Sequence, residues 1–206
     1  VELVRAIFER AKDRGLITAV ITDGHSTAQA MGYLRPVLDV FRVDVKASGA
    51  AAYRSLGGDE AAVWSSIERA RALGLWVEIV TLVVPGLNDD PQTLRTIAGR
   101  VAAVDPAIPW HVNGFVPRYR MRDAPATPRG ALIDAAGIGY GAGLRFVYAS
   151  NVTGLAALGA TRCPRCHDTL LERDDYQLKR RAMTGDHCRC GEPIPGLWSH
   201  PPRGES

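Results

Sequence analysis

All four cysteines of the chain fall between Cys163 and Cys190. Cys163-Pro164-Arg165-Cys166 is a CxxC knuckle, and Cys188-Arg189-Cys190 follows one loop later. Two such pairs suit Zn²⁺, which takes four sulfur or nitrogen ligands in a tetrahedron. The second pair is CxC, but His187-x-x-Cys190 restores the knuckle spacing, and imidazole is a zinc ligand. The fourth ligand is therefore either Cys188 or His187. A four-cysteine iron site fits the same spacing. Stable disulfides would be unusual, because no secretory leader opens the chain. A metal is the expectation, zinc before iron, held by Cys163, Cys166, Cys190 and either Cys188 or His187.

A second group of polar residues stands at the ends of short apolar runs. Thr22-Asp23-Gly24-His25 follows the first run. Asp44 and Lys46 close the second, and alternation with period two puts them on one face. Pro85 to Asp89 end the third run, His111 and Asn113 share a face on the fourth, and the fifth leads to Tyr148 and Asn151. Asp44 and Lys46 are costly inside a sheet unless paired, so they read either as a salt bridge at a strand end or as ligand contacts. His111 reads as a hydrogen-bonded structural histidine or a site residue, and His25 as a turn residue or a site residue. Asp90 is most simply a helix cap, and Asn88 and Asp89 shape a turn.

These residues need elements to position them. Leu3, Val4, Ile7, Phe8 and Ala11 recur at helical spacing, and Gly15 closes that helix. Strands are expected over Leu16–Thr22, Phe41–Lys46, Leu75–Gly86, Trp110–Phe115 and Arg145–Ala149. Helices are expected near Thr27–Leu34, from Asp59 through Leu73, and from Asp90-Pro91 to Val104. Another opens at Thr127-Pro128 and is weakened by Gly130, Gly137, Gly139 and Gly141. Strand and helix alternate, which predicts a parallel sheet with covering helices, either doubly wound or a (β/α) barrel. Ligands of such folds bind at the C-terminal strand ends, where the polar groups collect. No Gly-x-Gly-x-x-Gly or Walker A motif is present. Periodicity fades near residue 160, so a boundary is expected there, with 1–155 as one unit and 156–206 as a cysteine-rich tail. The final Pro- and Gly-rich stretch is expected to wrap or fray.

The chain has 206 residues, 46% of them hydrophobic and 23% charged. No apolar run approaches the roughly 20 residues of a membrane span. A formal net charge of +3 argues against an electrostatic nucleic-acid binder. The expected location is the cytoplasm. The first helix has no N-cap and the chain starts at Val1, so either an alternative start codon or a beginning inside a larger domain is expected.

Six segments carry a resemblance when taken in order: TDGHST, FRVDVKA, LWVEIVTLVVPGLNDD, PWHVNGFVPRYRMRDAPATP, GLRFVYASNV, and CPRC with CGEPIPGLW. Together the string resembles the AmmeMemoRadiSam-system radical S-adenosylmethionine (SAM) enzymes. These are similar to glycyl-radical activating enzymes such as the pyruvate formate-lyase activating enzyme. The resemblance implies a partial (β/α) barrel that binds SAM and a [4Fe–4S] cluster, with a zinc-ribbon-like C-terminal knuckle. Such enzymes cleave SAM reductively and start radical chemistry on a substrate, here an unknown protein or small molecule. The cluster loop, CxxxCxxC, and the Gly-Gly-Glu motif of the family have no counterpart here. The expectation is a C-terminal portion of such an enzyme, inactive alone, with cluster ligands upstream. The alternative is a split or degenerate module that binds a metal or a partner, such as a separate N-terminal half.

By the same resemblance, Thr22, Asp23 and Gly24 occupy the family's TNG position. Asp44 and Lys46 match its SAM-contacting DxK pair, and Val83, Pro85 and Asn88 match the segment near the adenine. His111 and Asn113 are expected to join the cofactor site, whereas Val116 stands where relatives often carry histidine. Cys163, Cys166 and Cys190 match the tail cysteines. His187 aligns with the remaining one, which leaves Cys188 as an extra thiol.

Overall fold

A computed structural model describes residues 1–174 and 177–198. Its larger part alternates α1 (Glu2–Lys12), β1 (Ala19–Thr22), α2 (Ala28–Leu34), β2 (Val40–Asp44), α3 (Ala50–Ser55), α4 (Glu60–Ala72) and β3 (Trp76–Val83). It continues through α5 (Pro91–Val104), β4 (Trp110–Gly114), α6 (Arg129–Gly141) and β5 (Val147–Ser150). The five strands are parallel and lie in chain order, with β1 and β5 at the edges. The mixed α/β class is as the alternation predicts, in a five-stranded sheet among the described residues. A short helix, α7 (Ala156–Gly159), leads to an antiparallel sheet of β6 (Thr161–Arg162), β7 (Thr169–Asp174) and β8 (Gln177–Arg181). The stretch expected to wrap or fray continues past Trp198 into residues outside the described ones. Among the described residues no helix is long and apolar enough to cross a membrane.

The local chemistry explains most boundaries. Asp59 caps α4 by accepting from Ala61 N at 3.0 Å, and Asp90 caps α5 by accepting from Gln92 N and Thr93 N. Pro91 fills the first position of α5, where its missing N–H costs nothing. Helix α3 was not legible: its run is short, no side chain caps it, and it starts after Gly49 at φ 93°. The strands are shorter than the apolar runs, because Leu16–Thr18 and the residues beyond Asp44 and Val83 serve as connections.

One face of the sheet carries the main core. Phe41, Val43, Val77, Ile79, Val112 and Val147 point into it and meet Val63, Ile67, Leu94, Ile97, Val101 and Leu132 of the helices. Trp110 is fully buried there and satisfies its indole N–H by donating to Thr81 Oγ1 at 3.0 Å. The other face carries Arg42, Asp44, Glu78, His111, Asn113 and Tyr148 at alternate positions, all half-buried. Helix α1 adds no buried residue; Leu3 and Ile7 stay exposed, and Lys12 pairs with Asp39 ahead of β2.

The glycines of α6 differ in kind. A Cβ at Gly139 would stand 2.9 Å from both Trp110 Cε3 and Val147 Cγ2, so hydrogen alone lets α6 lie on the sheet. At Gly137, on the exposed side, a Cβ meets nothing within 4 Å. Gly139→Ala should therefore destabilise the fold by about 1–3 kcal/mol through overpacking. Gly137→Ala should stabilise it by about 0.5–1 kcal/mol through helix propensity. Urea unfolding of the two variants measures the opposed signs.

Candidate functional site

The C-terminal rim of the parallel sheet gathers part of the expected site. Strand register sets Thr22 beside Val43, which brings Asp23 level with Asp44. The side chains of Asp44 and Lys46 lie 3.5 Å apart, each a little over two-fifths exposed, so the pair faces solvent and remains free to meet a ligand. Asp23 accepts from His25 N at 3.2 Å. That bond, then the His25 ring and the Lys46 charge, hold its carboxyl below the ordinary value against a smaller opposing effect of burial. Asp23, Asp44 and Lys46 thus form one electrostatic group. Gly24, at φ 88°, lets the chain turn where a Cβ would stand 2.9 Å from Val63.

Other expected residues hold the rim in place. Asn88 is 1% exposed and uses its whole amide on the backbone: Oδ1 accepts from Val84 N, and Nδ2 donates to the carbonyls of Lys46 and Leu82. It therefore ties the loop after β3 to the end of β2. Val83 points its side chain into the helix-side core, and its carbonyl accepts from Thr127 Oγ1. Pro85 lies half-buried at the turn. Thr22 Oγ1 accepts from Gly24 N, and Asn113 Oδ1 accepts from Ser150 Oγ. His25 Nε2 accepts from Asp59 N at 2.8 Å, which joins the first rim loop to the start of α4. Val116 is exposed on the loop after β4.

His111 lies on the same face, opposite Val80 and Tyr148 in register and so, through Val80, level with Asp44 two strands away. Its ring stacks on Tyr148 with centroids 5.1 Å apart. Nε2 lies 3.3 Å from Glu78 Oε2, an ion-pair distance off the line of a hydrogen bond. Glu78 Oε1 accepts from Trp76 Nε1 at 3.0 Å. Burial pushes the Glu78 carboxyl up, but His111, Trp76 and the Arg42 charge together hold it below its ordinary value. Sequence reasoning missed Glu78, although its alternation with Trp76 across an otherwise apolar strand was a usable signal.

Behind β5, the tail builds the metal-ligand set. Cys163, Cys166, Cys188 and Cys190 place their sulfurs within 4.8 Å of one another. Cys163 and Cys190 are 3.6 Å apart, and Cys166 and Cys188 are 3.5 Å apart. Two tight turns present them: His167 N donates to Cys163 O, and Gly191 N donates to Cys188 O. His167 and Gly191, just after each pair, both adopt positive φ. His187 turns its Nδ1 to Asp186 Oδ1 at 2.6 Å and stays outside this set, so the thiol brought into the fourth position is Cys188. The alignment by spacing had left Cys188 as the extra thiol. Chain direction at the second turn decides otherwise.

The thiols influence one another strongly. Burial raises Cys163, but backbone N–H groups of Cys166 and Arg165, with neighbouring thiols, bring it down to about 7. Cys166 is pushed up to about 12: the Asp168 backbone lowers it, but burial and the three other sulfurs outweigh that. One thiolate forms readily and the next is opposed by it, a conflict that a cation among the sulfurs removes. The four residues could hold a metal.

The fold and site together define a parallel α/β protein with an anionic–cationic rim and a four-thiol centre. Among curated proteins the chain is 30% identical over 188 residues to an uncharacterized protein of Methanocaldococcus jannaschii, covering 89% of this chain and 56% of that protein. It spans a little over half the length of this relative. Among solved structures it is similar to a domain of pyruvate-formate lyase-activating enzyme from Bacteroides vulgatus. That match has a TM-score of 0.63 and 16% identity, and covers 73% of this chain and 91% of that one. At that identity the likeness is one of fold. No family model matches the chain.

Elemental analysis of purified protein tests the thiol set. Cys188→Ser should lose most of the bound metal, whereas His187→Ala should retain one ion per chain as the parent does.

Proposed function

We propose that this chain is the C-terminal portion of a radical SAM enzyme, related to the glycyl-radical activating enzymes, and that its rim holds SAM. The observation that carries the reading is the exposed Asp44–Lys46 pair at the C-terminal end of β2, in a fold shared with an activating-enzyme domain. Asp44, Lys46 and Asp23 would meet the charged methionyl end or the ribose of SAM. The loop from Val83 to Asn88 would stand beside the adenine, with Asn88 acting through the backbone it holds. When bound at a reduced [4Fe–4S] cluster, SAM supplies a radical that takes a hydrogen atom from a substrate.

The residues present do not fit that cluster. No cysteine precedes Cys163, and it lies together with the three that follow at spacings suited to one ion. A tetrahedral ion with Zn–S bonds of about 2.3 Å sets its sulfurs about 3.8 Å apart. The spacings of 3.5 and 3.6 Å are near that value, whereas a cubane cluster spreads its thiolates much more widely. We therefore assign a single ion to the tail, proposed as zinc in preference to iron, and cluster ligands, a full partial barrel and the cytoplasmic radical chemistry to the whole enzyme. The substrate, a protein or a small molecule, meets that whole enzyme. The 206 residues alone are read as incompetent to cleave SAM.

A second reading is supported by the bare edge of the sheet. Ile21 on β1 is 70% exposed and Leu3 on α1 is 74% exposed. An unpaired edge beside apolar side chains suits docking to a separate N-terminal half.

Calorimetric titration with SAM should show binding by the parent and a loss of about tenfold or more for Asp44→Asn or Lys46→Met. Absence of binding to the parent would remove the rim assignment. Under strong reductant the isolated chain should release no 5′-deoxyadenosine; release would overturn the assignment of cluster ligands elsewhere.

A further inference from the structure

The loop after β4 leaves the C-terminal rim and returns to it. Phe115 N donates to Thr127 Oγ1 at 2.7 Å, and Thr127 N donates to Phe115 O at 3.1 Å, so the two ends meet. Thr127 Oγ1 in turn donates to Val83 O, which fixes that junction to the end of β3. Between the ends runs Val116-Pro117-Arg118-Tyr119-Arg120-Met121-Arg122-Asp123-Ala124-Pro125-Ala126. A closed surface excursion of this kind is an Ω-loop, a form that often carries function. None of these residues lines the cavity of about 760 Å³ beside Glu78 and His111, so the loop forms no wall of it.

The loop turns its side chains to solvent without partners. Arg118, Arg120 and Arg122 are exposed, and among the described residues their guanidinium groups make no hydrogen bond or ion pair. Arg120 lies over the Tyr119 ring, 5.2 Å from its centroid. Tyr119 is 75% exposed, and Val116 and Met121 are exposed in the same loop. Tyr119 also has φ 52°, in the left-handed region that a bulky side chain rarely adopts. It stands in a turn closed by Met121 N, which donates to Arg118 O at 3.0 Å. A strained backbone that carries an exposed ring points to a role outside the fold. Pro117 and Pro125 restrict the chain on either side, which lowers the entropy lost when a partner binds.

Arginine, tyrosine and methionine are residue types that protein interfaces collect, and arginine and tyrosine are prominent among those that dominate binding. Here they alternate in one short loop, with Asp123 as its one acid. Unpaired guanidinium groups spread over two successive turns suit several carboxylates in series better than one small anion. A single aromatic ring gives successive bases no run of stacking platforms, and a net charge of +3 gives nucleic acid no wide attractive field.

We propose that this loop is a docking surface for an acidic segment of a partner protein. Arg118, Arg120 and Arg122 take carboxylates of that segment, and Tyr119 with Met121 covers the apolar side chains between them. The proposal concerns binding at the loop and stands whether or not the rim holds SAM.

The test uses fluorescence anisotropy with the full metal-loaded chain. The probe is a fluorescein-labelled peptide of repeating Glu-Leu-Glu-Gly, and its control has Gln for every Glu. The acidic peptide should saturate below about 1 mM, and the control should bind at least about tenfold more weakly. Replacing Arg118, Arg120 and Arg122 together by Gln should weaken the acidic peptide by about tenfold or more. Removing equal charge from exposed positions elsewhere, with Arg10→Gln, Arg54→Gln and Arg95→Gln combined, should leave binding within about twofold. Tyr119→Gly suits the positive φ and so keeps the fold, yet it should weaken binding several-fold. Failure of the acidic peptide to saturate, or equal loss in the two triple variants, would overturn the proposal. So would a Tyr119→Gly variant that binds as the parent does, or tighter binding of an equally charged single-stranded RNA through the same arginines.

Discussion

A parallel sheet buries both faces or finds another use for the bare one, and among the described residues the helices that build the main core pack on one face of this sheet. That single constraint organises the molecule. The helix side is closed by aliphatic packing from Phe41 through Val147, with Trp110 and Gly139 in close contact at its centre. The opposite side alternates charged and aromatic residues that stand outside that core. Each of them needs a partner: Asp44 takes Lys46, Glu78 takes Trp76 and His111, and His111 takes Tyr148. Polar chemistry accumulates there because the fold leaves that face available.

The tail answers part of the same need. Three short strands with a core of Leu170, Leu171 and Ile194 bury little apolar surface, and small units of this kind depend on metals or cross-links. The four thiols supply a site for such a staple. Phe146 packs into that small core from the main sheet, and Arg145 pairs with Glu192, so the tail is fastened at β5. Fastened there, it brings Ile194 to Trp198 to the polar face, where they line the same cavity as Glu78, His111 and Tyr148.

Much of this was legible from the chain. Asp90-Pro91 announced α5, Asp59 announced α4, and the alternation of apolar runs with helical patterns announced a parallel sheet. These signals are local: a cap, a missing N–H or a periodicity acts within a few residues. Helix α3 and the tail strands β6 to β8 were not legible, since Ala50–Ser55 lacks a side-chain cap and Gln177–Arg181 is a wholly exposed charged strand. Asn88 read as a turn former, and its reach to the Lys46 carbonyl depends on a neighbouring strand far away in sequence.

By itself the sequence determined the element order, the helix starts, the grouping of polar residues at strand ends, and a metal-suited cysteine pattern. Only the tertiary structure decided that Cys188 and not His187 joins the thiol set, because spacing along the chain does not tell which way a turn points its side chains. Tertiary structure also decided that His111, level with Asp44 but two strands away, takes Glu78 and Tyr148 as its neighbours and not Asp44 or Lys46. Height on a strand relative to its neighbours is set by register, and register comes from hydrogen bonds between segments that are distant in the chain.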